Sequence, residues 1–595
     1  MGNKLQDSSR KIIRHFKYFY VQLGYRIWIT LMLSGLVGIL DGFGIAMFIP
    51  LLKFLGSKDE VANPENLGGF SFIIENFNTL GIPVTLVSIL VLMIIFFVLK
   101  GTALFAQRFY GVVVQQYYIS KLRIGIARNL CQFNYVNFSK SDIGRIQNTM
   151  SNEVGRVSTA FKSFILTIQS FSMLIVYILL AVLTNVQFAM LVVIGGALSN
   201  ILYRSAYRKT TSLSRNITRE NHTFQGLLIQ MVSFFKYLKS TGVNHIYLEK
   251  VLRNIKSIEN YNRNIGFLNS VLAALREPII IVIICSVIII QVEFFDSDLG
   301  SIILSLLLFY RGLNFLTVTQ NSWNAFLNVS GSLENVKDFS NELELGAEEN
   351  GERTLKNSVE SVELDNVSFK YEERKVLNDI SFSISENGVY GFIGESGSGK
   401  STLLNIMSGL IKPSSGRVLV NGENIEELDK KSYQLKLGYI TQEPILFSDS
   451  IFNNVTLWAE KNEENISKFW EVLDSALCRE FVEKLPLKES CVLGNNGIQL
   501  SGGQKQRLCI ARELFKDNQV LLMDEATSAL DPHTEGLVLQ TISNIKSFMK
   551  IIFISHKLKS LAVCDYIFLL RDGEIVERGT LEKMKKTASW QQTHS

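Results

Sequence analysis

Apolar and polar positions divide the chain into two stretches of different texture. Before about residue 330, long apolar runs alternate with charged connections; after it, short alternating stretches sit between glycine-rich turns. Six runs reach the roughly 20 mainly apolar residues that a membrane-spanning helix needs. They lie near Tyr25–Phe54, Thr85–Phe109, Phe161–Leu183, Phe188–Ala206, Phe267–Ile290 and Leu299–Leu316. In lipid each must satisfy its own backbone hydrogen bonds, so each is predicted to be a helix. Thr184–Gln187 leaves room only for a tight hairpin between the third and fourth.

The connections give an orientation. Lys and Arg crowd the N-terminal arm and the stretches Lys121–Arg156 and Arg204–Arg263. The connection after the first run carries Asp59, Glu60, Glu65 and Glu75, and that after the fifth carries Glu293, Asp296 and Asp298. The positive-inside rule then predicts cytoplasmic termini and two long cytoplasmic connections. Polar helical patterning continues out of the spans, so these helices are predicted to extend well into the cytoplasm.

Composition agrees. Only 19% of the residues are charged, against about 25% in soluble chains, and the shortage is confined to the first part. A net charge of +5 over 595 residues is too small to suggest nucleic acid. The six cysteines form no C-x-x-C pair and read as free thiols in a reducing compartment. Arg10, Lys11, Arg14 and Lys17 lead into a first run too long for a cleavable signal peptide. A membrane domain over 1–340, an acidic linker over 341–358 and a second domain over 359–595 are predicted, the last opening on the period-two strand pattern V-E-L-D-N-V-S-F-K-Y.

The second domain carries the chemistry. Gly394–Ser401 fits G-x-x-x-x-G-K-[ST] between an apolar strand and a helix. Glycines let such a loop wrap, pointing successive backbone N–H groups at phosphate oxygens; Lys400 reaches the β- and γ-phosphates and the Ser401 hydroxyl suits Mg²⁺. Val520–Glu525 (V-L-L-M-D-E) is a buried strand ending in two carboxylates, with Asp524 placed for the magnesium shell and Glu525 for polarising the attacking water. His556 follows a further apolar strand, I-I-F-I-S-H, and is placed to contact the γ-phosphate.

Leu500–Gln504 reads L-S-G-G-Q and leads into the basic helix K-Q-R-L-C-I-A-R. This resembles the signature of the ATP-binding cassette (ABC) superfamily, and the resemblance runs from Val359 to about Gly579. It implies that Tyr371 stacks on adenine, and that Gly394, Ser396, Gly397, Gly399, Lys400, Ser401 and Thr402 cradle phosphate. Gln442 in Y-I-T-Q-E-P matches the Q-loop, and Asp531 closes the D-loop motif S-A-L-D. Ser401, Gln442 and Asp524 are the implied metal-site residues, and Glu525 and His556 the catalytic ones. The resemblance further implies a head-to-tail dimer in which Ser501, Gly502, Gly503 and Gln504 of one cassette cap the γ-phosphate held by the other. One cassette per chain then requires two chains, most simply a homodimer, with a heterodimer left open. One departure is that Ser490–Gly497, just before the signature, has no acidic side chain where exporters often carry one.

Six spans followed by one cassette resemble the half-transporter layout of ABC exporters, and the resemblance implies short coupling helices in the two basic connections, near Asn134–Asp142 and Gln225–Lys236. That implies an all-α six-helix transmembrane domain of the type IV exporter fold followed by an α/β P-loop nucleotide-binding domain, embedded in a bacterial inner membrane. A membrane-tethered regulatory ATPase is the competing class. Asp41, Lys100, Arg276, Glu277 and Arg311 are ionisable residues within the spans, and such residues usually face the bundle interior. An excess of cations there (Lys100, Arg276, Arg311) would suit an anionic head group. The sixth run (apolar, then Tyr310-Arg311, Asn314 and Asn321) and the long external connection Gly56–Ile82 look like those of flippases of lipid-linked oligosaccharides, with multidrug, lipid and peptide exporters as alternatives.

Overall fold

The computed structural model describes residues 17–48, 51, 85–184, 186–295, 299–494, 500–527, 530–557 and 559–587. They form two compact units, one spanning Met1–Phe133 and Lys140–Ala347, the other Asn134–Ser139 and Glu348–Ser595. The acidic connection read over 56–82 and the D-loop residues Ser528 and Ala529 lie outside the described residues.

The first unit is helical, with α1 (Arg26–Ala46), α2 (Leu86–Cys131), α4 (Ile143–Asn148), α5 (Val154–Thr184), α6 (Val186–Ser233), α7 (Phe235–Ser240), α8 (Asn244–Phe295) and α9 (Leu299–Leu345), while the short α3 (Tyr135–Lys140) is assigned almost wholly to the second unit. The longest run far past the bilayer. At 1.5 Å per residue, the 46 residues of α2 reach roughly 70 Å, more than twice the ~30 Å hydrocarbon core. Its start is set by a capping box, in which Thr85 Oγ1 accepts from the Ser88 amide and Ser88 Oγ accepts from the Thr85 amide. Among the described residues, Arg26–Ile45, Leu86–Cys131 and Ile143–Leu180 are long and apolar enough to cross a membrane. The three later runs lie on α6, α8 and α9, where many side chains fall outside the description.

Two boundaries differ from the sequence reading. The long helix α6 continues to Ser233 and breaks at Phe234, so the short helix read over 225–236 lies later, as α7 over Phe235–Ser240. Likewise α9 continues through Leu345, into the segment read as linker, because its apolar positions Val336, Phe339 and Leu343 remain buried. The first short helix, α3, does fall within 134–142, and Asn134–Ser139 belongs to the second unit, where Val136 packs on the core.

Aromatic rings knit the first unit together: Phe19, Tyr118, Phe161, Phe164 and Phe326 form one buried cluster, with Phe19 and Phe164 only 4.5 Å apart between centroids. Two buried polar contacts join its helices. Gln107 donates to Ser34 Oγ at 2.8 Å. Asp41, 2% exposed, accepts from Lys100 Nζ and from the Tyr177 hydroxyl, each at 2.5 Å. One carboxylate thus ties α1 to α2 and α5.

The second unit is α/β. Strands β1 (Val362–Tyr371), β2 (Arg374–Ile384), β4 (Ser415–Val420) and β5 (Glu423–Asn424) form an antiparallel sheet in the order β2-β1-β4-β5. The main sheet has the order β10-β9-β3-β8-β7-β6, built from β3 (Gly388–Ile393), β6 (Leu437–Ile440), β7 (Val520–Asp524), β8 (Lys550–Ile554), β9 (Tyr566–Arg571) and β10 (Glu574–Gly579). All its pairings are parallel except β9–β10. Its central strands are buried on both faces, which is why V-L-L-M and K-I-I-F-I are continuous rather than alternating apolar runs. Two apolar cores, one around Phe469 and Leu508, the other around Phe382 and Leu404, cover the two sides.

The Asp41 junction yields a stability prediction. Removing one partner of a buried ion pair costs about 3–5 kcal/mol, whereas replacing both by apolar residues is often neutral. Asp41→Ala should therefore lower the thermal midpoint of the detergent-solubilised protein markedly, and Asp41→Leu with Lys100→Met should restore most of it. Equal midpoints for Asp41→Ala and wild type would show that the junction contributes little.

Candidate functional site

Four adjacent strands of the main sheet, β3-β8-β7-β6, run parallel and end at one edge. Ligands in such sheets bind beyond the carboxyl ends of the strands. Here β3 delivers the loop Gly394–Gly399, β8 delivers His556, β7 delivers Asp524 and Glu525, and β6 delivers Gln442. Residues separated by well over a hundred positions converge because their strands are neighbours.

The loop runs into α10 (Lys400–Met407). Gly394, Gly397 and Gly399 have φ of +154°, +84° and +104°. At Gly394 a Cβ would also lie 2.1 Å from the Leu570 carbonyl oxygen, so conformation and space both demand glycine there. Lys400 is buried, and its Nζ donates to the carbonyls of Gly394 at 3.0 Å and Glu395 at 2.8 Å. Burial pulls its pKa below the usual lysine value, against the opposing pull of Glu525 and Asp524. Ser396 and Thr402 occupy the loop and the first turn of α10.

Asp524 Oδ1 accepts from Ser401 Oγ at 3.2 Å, and burial raises the Asp524 pKa above the ordinary carboxylate value. Glu525 is held from two sides: His556 Nε2 lies 2.6 Å from Oε1, and Gln442 Nε2 donates to Oε2 at 3.0 Å. Its φ of +48° is the left-handed region, a strain of order 1–3 kcal/mol for a residue with a Cβ. Such strain persists where neighbours over-determine the conformation. Because the Gln442 amide nitrogen is committed to Glu525, its Oε1 remains the acceptor. Ser401, Asp524 and Gln442 thus present hard oxygen donors that fit Mg²⁺. Among the described residues no group of three or more His, Cys, Asp or Glu could hold a metal alone, so phosphate oxygens and water would supply the other ligands.

The signature motif opens α11 (Gly502–Phe515). Ser501 and Gln504 form a capping box: Ser501 Oγ accepts from the Gln504 amide at 3.3 Å, and Gln504 Oε1 accepts from the Ser501 amide at 2.9 Å. The helix start is thereby fixed with Ser501 and Gly502 exposed. A Cβ on Gly503 would stand 1.7 Å from Thr534 Cγ2, so this glycine is the seat of α12 (Pro532–Ile545). Asp531 caps α12, accepting from the amides of His533 and Thr534 at 3.1 Å each, which holds its pKa below the usual range. Tyr371 closes β1, edge-on to Phe369 with centroids 4.7 Å apart.

Three residues absent from the sequence reading brace this edge. Arg512 on α11 donates to the carbonyls of Asn454 at 2.7 Å and Ile445 at 2.9 Å, tying the signature helix to the segment after Gln442. Lys557, next to His556, donates to the Thr527 carbonyl at 2.9 Å and to Glu535 at 3.2 Å. Thr534 fills the space left by Gly503. Arg512 was legible only as part of a basic helix; nothing in the sequence distinguishes the other two.

The helical unit contains a cavity of about 600 Å³ lined on α1, α2, α5 and α9. Its charged lining is Asp41, Lys100, Arg108, Lys162 and Arg311, four cations against one carboxylate. Lys100, which the sequence suggested as a cation for substrate, is the one Asp41 neutralises. Arg311 does line the cavity, near Phe315, which stacks on Tyr177. Arg108 and Lys162, which the sequence reading passed over at the ends of their runs, line it as well. The side chain of Arg276 lies outside the described residues.

With this geometry, comparison with known proteins defines the class. The family model for ABC transporter matches residues 377–528, and that for ABC transporter transmembrane region matches residues 59–312. The chain belongs to the ABC transporter family, as an exporter-type half-transporter whose cassette is an ATP-hydrolysing domain. Over 500 residues it is 25% identical to the ATP-dependent lipid A-core flippase of Coxiella burnetii, covering 83% of this chain and 84% of that one. Over 227 residues it is 40% identical to the mitochondrial iron-sulfur clusters transporter ATM1 of Candida glabrata, covering 38% of this chain and 31% of that one. A bacterial Atm1-family ABC exporter with ATP bound shares the fold at a TM-score of 0.77 and 19% identity, covering 97% and 98% of the two chains.

Two predictions follow from the cassette geometry. Gly503→Ala should abolish most ATPase activity by pushing α11 off Thr534, and adding Thr534→Ser, which deletes the clashing Cγ2, should recover part of it; an active single variant would contradict the seating. Lys400 releases its proton below the usual lysine pKa, whereas phosphate favours its charged form. ATP binding therefore takes up a proton at alkaline pH, and affinity should fall as pH rises past the lowered Lys400 pKa. Titrations from about pH 7 to about pH 10 test this, and Lys400→Arg should flatten the profile.

Proposed function

We propose that two copies of this chain form a homodimeric, ATP-driven flippase that turns over a phosphate-bearing lipid, with a lipid-linked oligosaccharide as the best-fitting substrate. The observation that carries the substrate class is the charged lining of the helical cavity. Once Asp41 has neutralised Lys100, no carboxylate among the described residues lining the cavity is left to pair with Arg108, Arg311 or Lys162. Uncompensated cations are costly at membrane depth, so three in one cavity call for an anion. Arginine's planar fork matches phosphate oxygens. Apolar Val37, Leu104, Met173 and Phe315 line the same space and suit a lipid. The lipid A-core flippase named among the relatives moves a lipid, which is consistent with this class.

In the reading offered here, ATP seats its phosphates on the Gly394–Ser401 loop, with Lys400 turning from the loop carbonyls to the β- and γ-phosphates and Tyr371 against adenine. Ser401, Asp524 and Gln442 would hold Mg²⁺, which when bound offsets phosphate charge. Glu525 polarises the attacking water and His556, already 2.6 Å from it, orients it toward the γ-phosphate. Ser501, Gly502 and Gly503 of the other subunit present the α11 N-terminus, whose dipole favours that anion. Closure of the two cassettes moves the membrane helices through the short helix α3, seated by Val136, and differential affinity for ATP drives the two-state change. The protein sits in a bacterial inner membrane with both termini cytoplasmic.

Reconstitution tests the reading. A polyprenyl diphosphate should stimulate ATP hydrolysis in proteoliposomes, and Glu525→Gln should reduce turnover by about 10²-fold or more while ATP still binds. Arg108→Ala with Arg311→Ala should raise the half-saturating lipid concentration by about tenfold or more. Stimulation by neutral amphiphiles alone would point to a multidrug exporter, and no turnover in wild type to a regulatory ATPase.

A further inference from the structure

A second cavity, of about 490 Å³, lies in the same helical unit and is lined by Asn148, Ser151, Asn152, Gly155, Arg156, Thr159, Asn221, Phe224 and Gln225. Its chemistry differs from that of the first. It offers four side-chain amides, two hydroxyls and one aromatic ring, and its lone charge, Arg156, lies 3.6 Å from Glu153, which is fully buried. The cavity is therefore close to neutral and is not another anion site. Amides and hydroxyls both donate and accept hydrogen bonds, and the ligand class that matches such a lining, with a ring face beside it, is a sugar.

The two cavities occupy consecutive stretches of one helix face. Gly155 and Thr159 line the polar one, and Lys162, Leu166, Gln169 and Met173 line the cationic one. Those six positions follow each other at alternating spacings of four and three residues, the period of a single stripe on α5. Thr159 and Lys162 are three residues apart, a rise of about 4.5 Å. A ligand lying along α5 would thus pass from amides and hydroxyls to Lys162 and into the cationic cavity beyond it.

The polar end is also pre-organised. Asn152 donates to Asn148 Oδ1 at 3.0 Å and Asn148 donates to Glu153 Oε1 at 3.3 Å, so the orientation of both amides is set from a buried carboxylate. The chain there, Thr149–Glu153, forms a π-helical turn, an irregularity that often marks functional sites.

We infer that this amide-lined cavity binds the neutral, hydroxyl-rich glycan of the transported lipid, while the cationic cavity that begins at Lys162 holds its phosphate. The inference rests on the phosphate-lipid reading but addresses a separate set of residues. Gly155 offers a way to test it, because a Cβ there meets nothing within 4 Å. A larger side chain would project into open space without straining the helix.

The experiment compares a polyprenyl diphosphate bearing a short neutral oligosaccharide with the same lipid lacking sugar, as stimulators of ATPase activity in proteoliposomes. The readout is the ratio of their half-saturating concentrations within each variant, which cancels differences in folding or basal rate. In wild type the glycosylated lipid should saturate at about tenfold lower concentration, the scale of one or two net hydrogen bonds. Gly155→Leu, and separately Asn152→Leu with Asn221→Leu, should bring the ratio to about one, and free oligosaccharide should compete in wild type only. A wild-type ratio of one, or a Gly155→Leu ratio equal to wild type, overturns the glycan site while leaving the phosphate reading intact. If neither diphosphate lipid stimulates wild type, the phosphate reading fails and the glycan site fails with it.

Discussion

The carboxylate of Glu525 is the point on which the cassette's geometry depends. It is gripped by the His556 ring on one oxygen and the Gln442 amide on the other, with its backbone held in a left-handed conformation. None of these partners is near it in sequence. They meet because β6, β7 and β8 are parallel neighbours whose ends stop at the same edge, and β3 places the phosphate loop on the strand beside them. Parallel strands need crossover connections, and those crossovers supply the helices that begin at Lys400, Gly502 and Pro532. The same packing that builds the sheet therefore sets the signature helix and the Asp531-capped helix against each other at Gly503 and Thr534.

In the helical unit the governing constraint is the cost of charge away from water. Asp41 accepts from Lys100 and Tyr177, so that charge is compensated and serves to join three helices. Arg108, Lys162 and Arg311 line a cavity whose described lining offers them no further carboxylate. Physical chemistry treats the two groups differently: a compensated buried charge is structural, whereas an uncompensated one awaits a counter-ion. The polar stretch that continues along α5 toward Asn152 extends this logic to a neutral ligand portion.

The sequence reading of Lys100 shows where pattern reasoning stops. A lysine in an apolar run is legible as an anomaly, but whether it is satisfied depends on a residue 59 positions away on another helix. Arg108 and Lys162 were overlooked for the opposite reason. They sit near the ends of their runs, where a basic side chain usually reaches the interface, and only the bundle shows that both turn toward one space. The short helix expected over 225–236 was misplaced because the apolar period of α6 continues until Phe234, and a helix break of this kind has no glycine or proline to announce it.

By itself the sequence determined the class of protein and the local chemistry. Apolar run length dictates spanning helices, a glycine-rich loop between strand and helix dictates a phosphate cradle, and Ser501 with Gln504 dictates a helix start through the capping box. Each of these is a matter of residues within a few positions of one another, where spacing converts directly into geometry. What only the tertiary structure decided is which distant groups share a charge, a hydrogen bond or a cavity: the grip on Glu525, the seat of Gly503 on Thr534, the neutralisation of Lys100 and the two cavities that meet along α5. Those relations depend on which strands and helices become neighbours, and that choice is made by the packing of the whole unit.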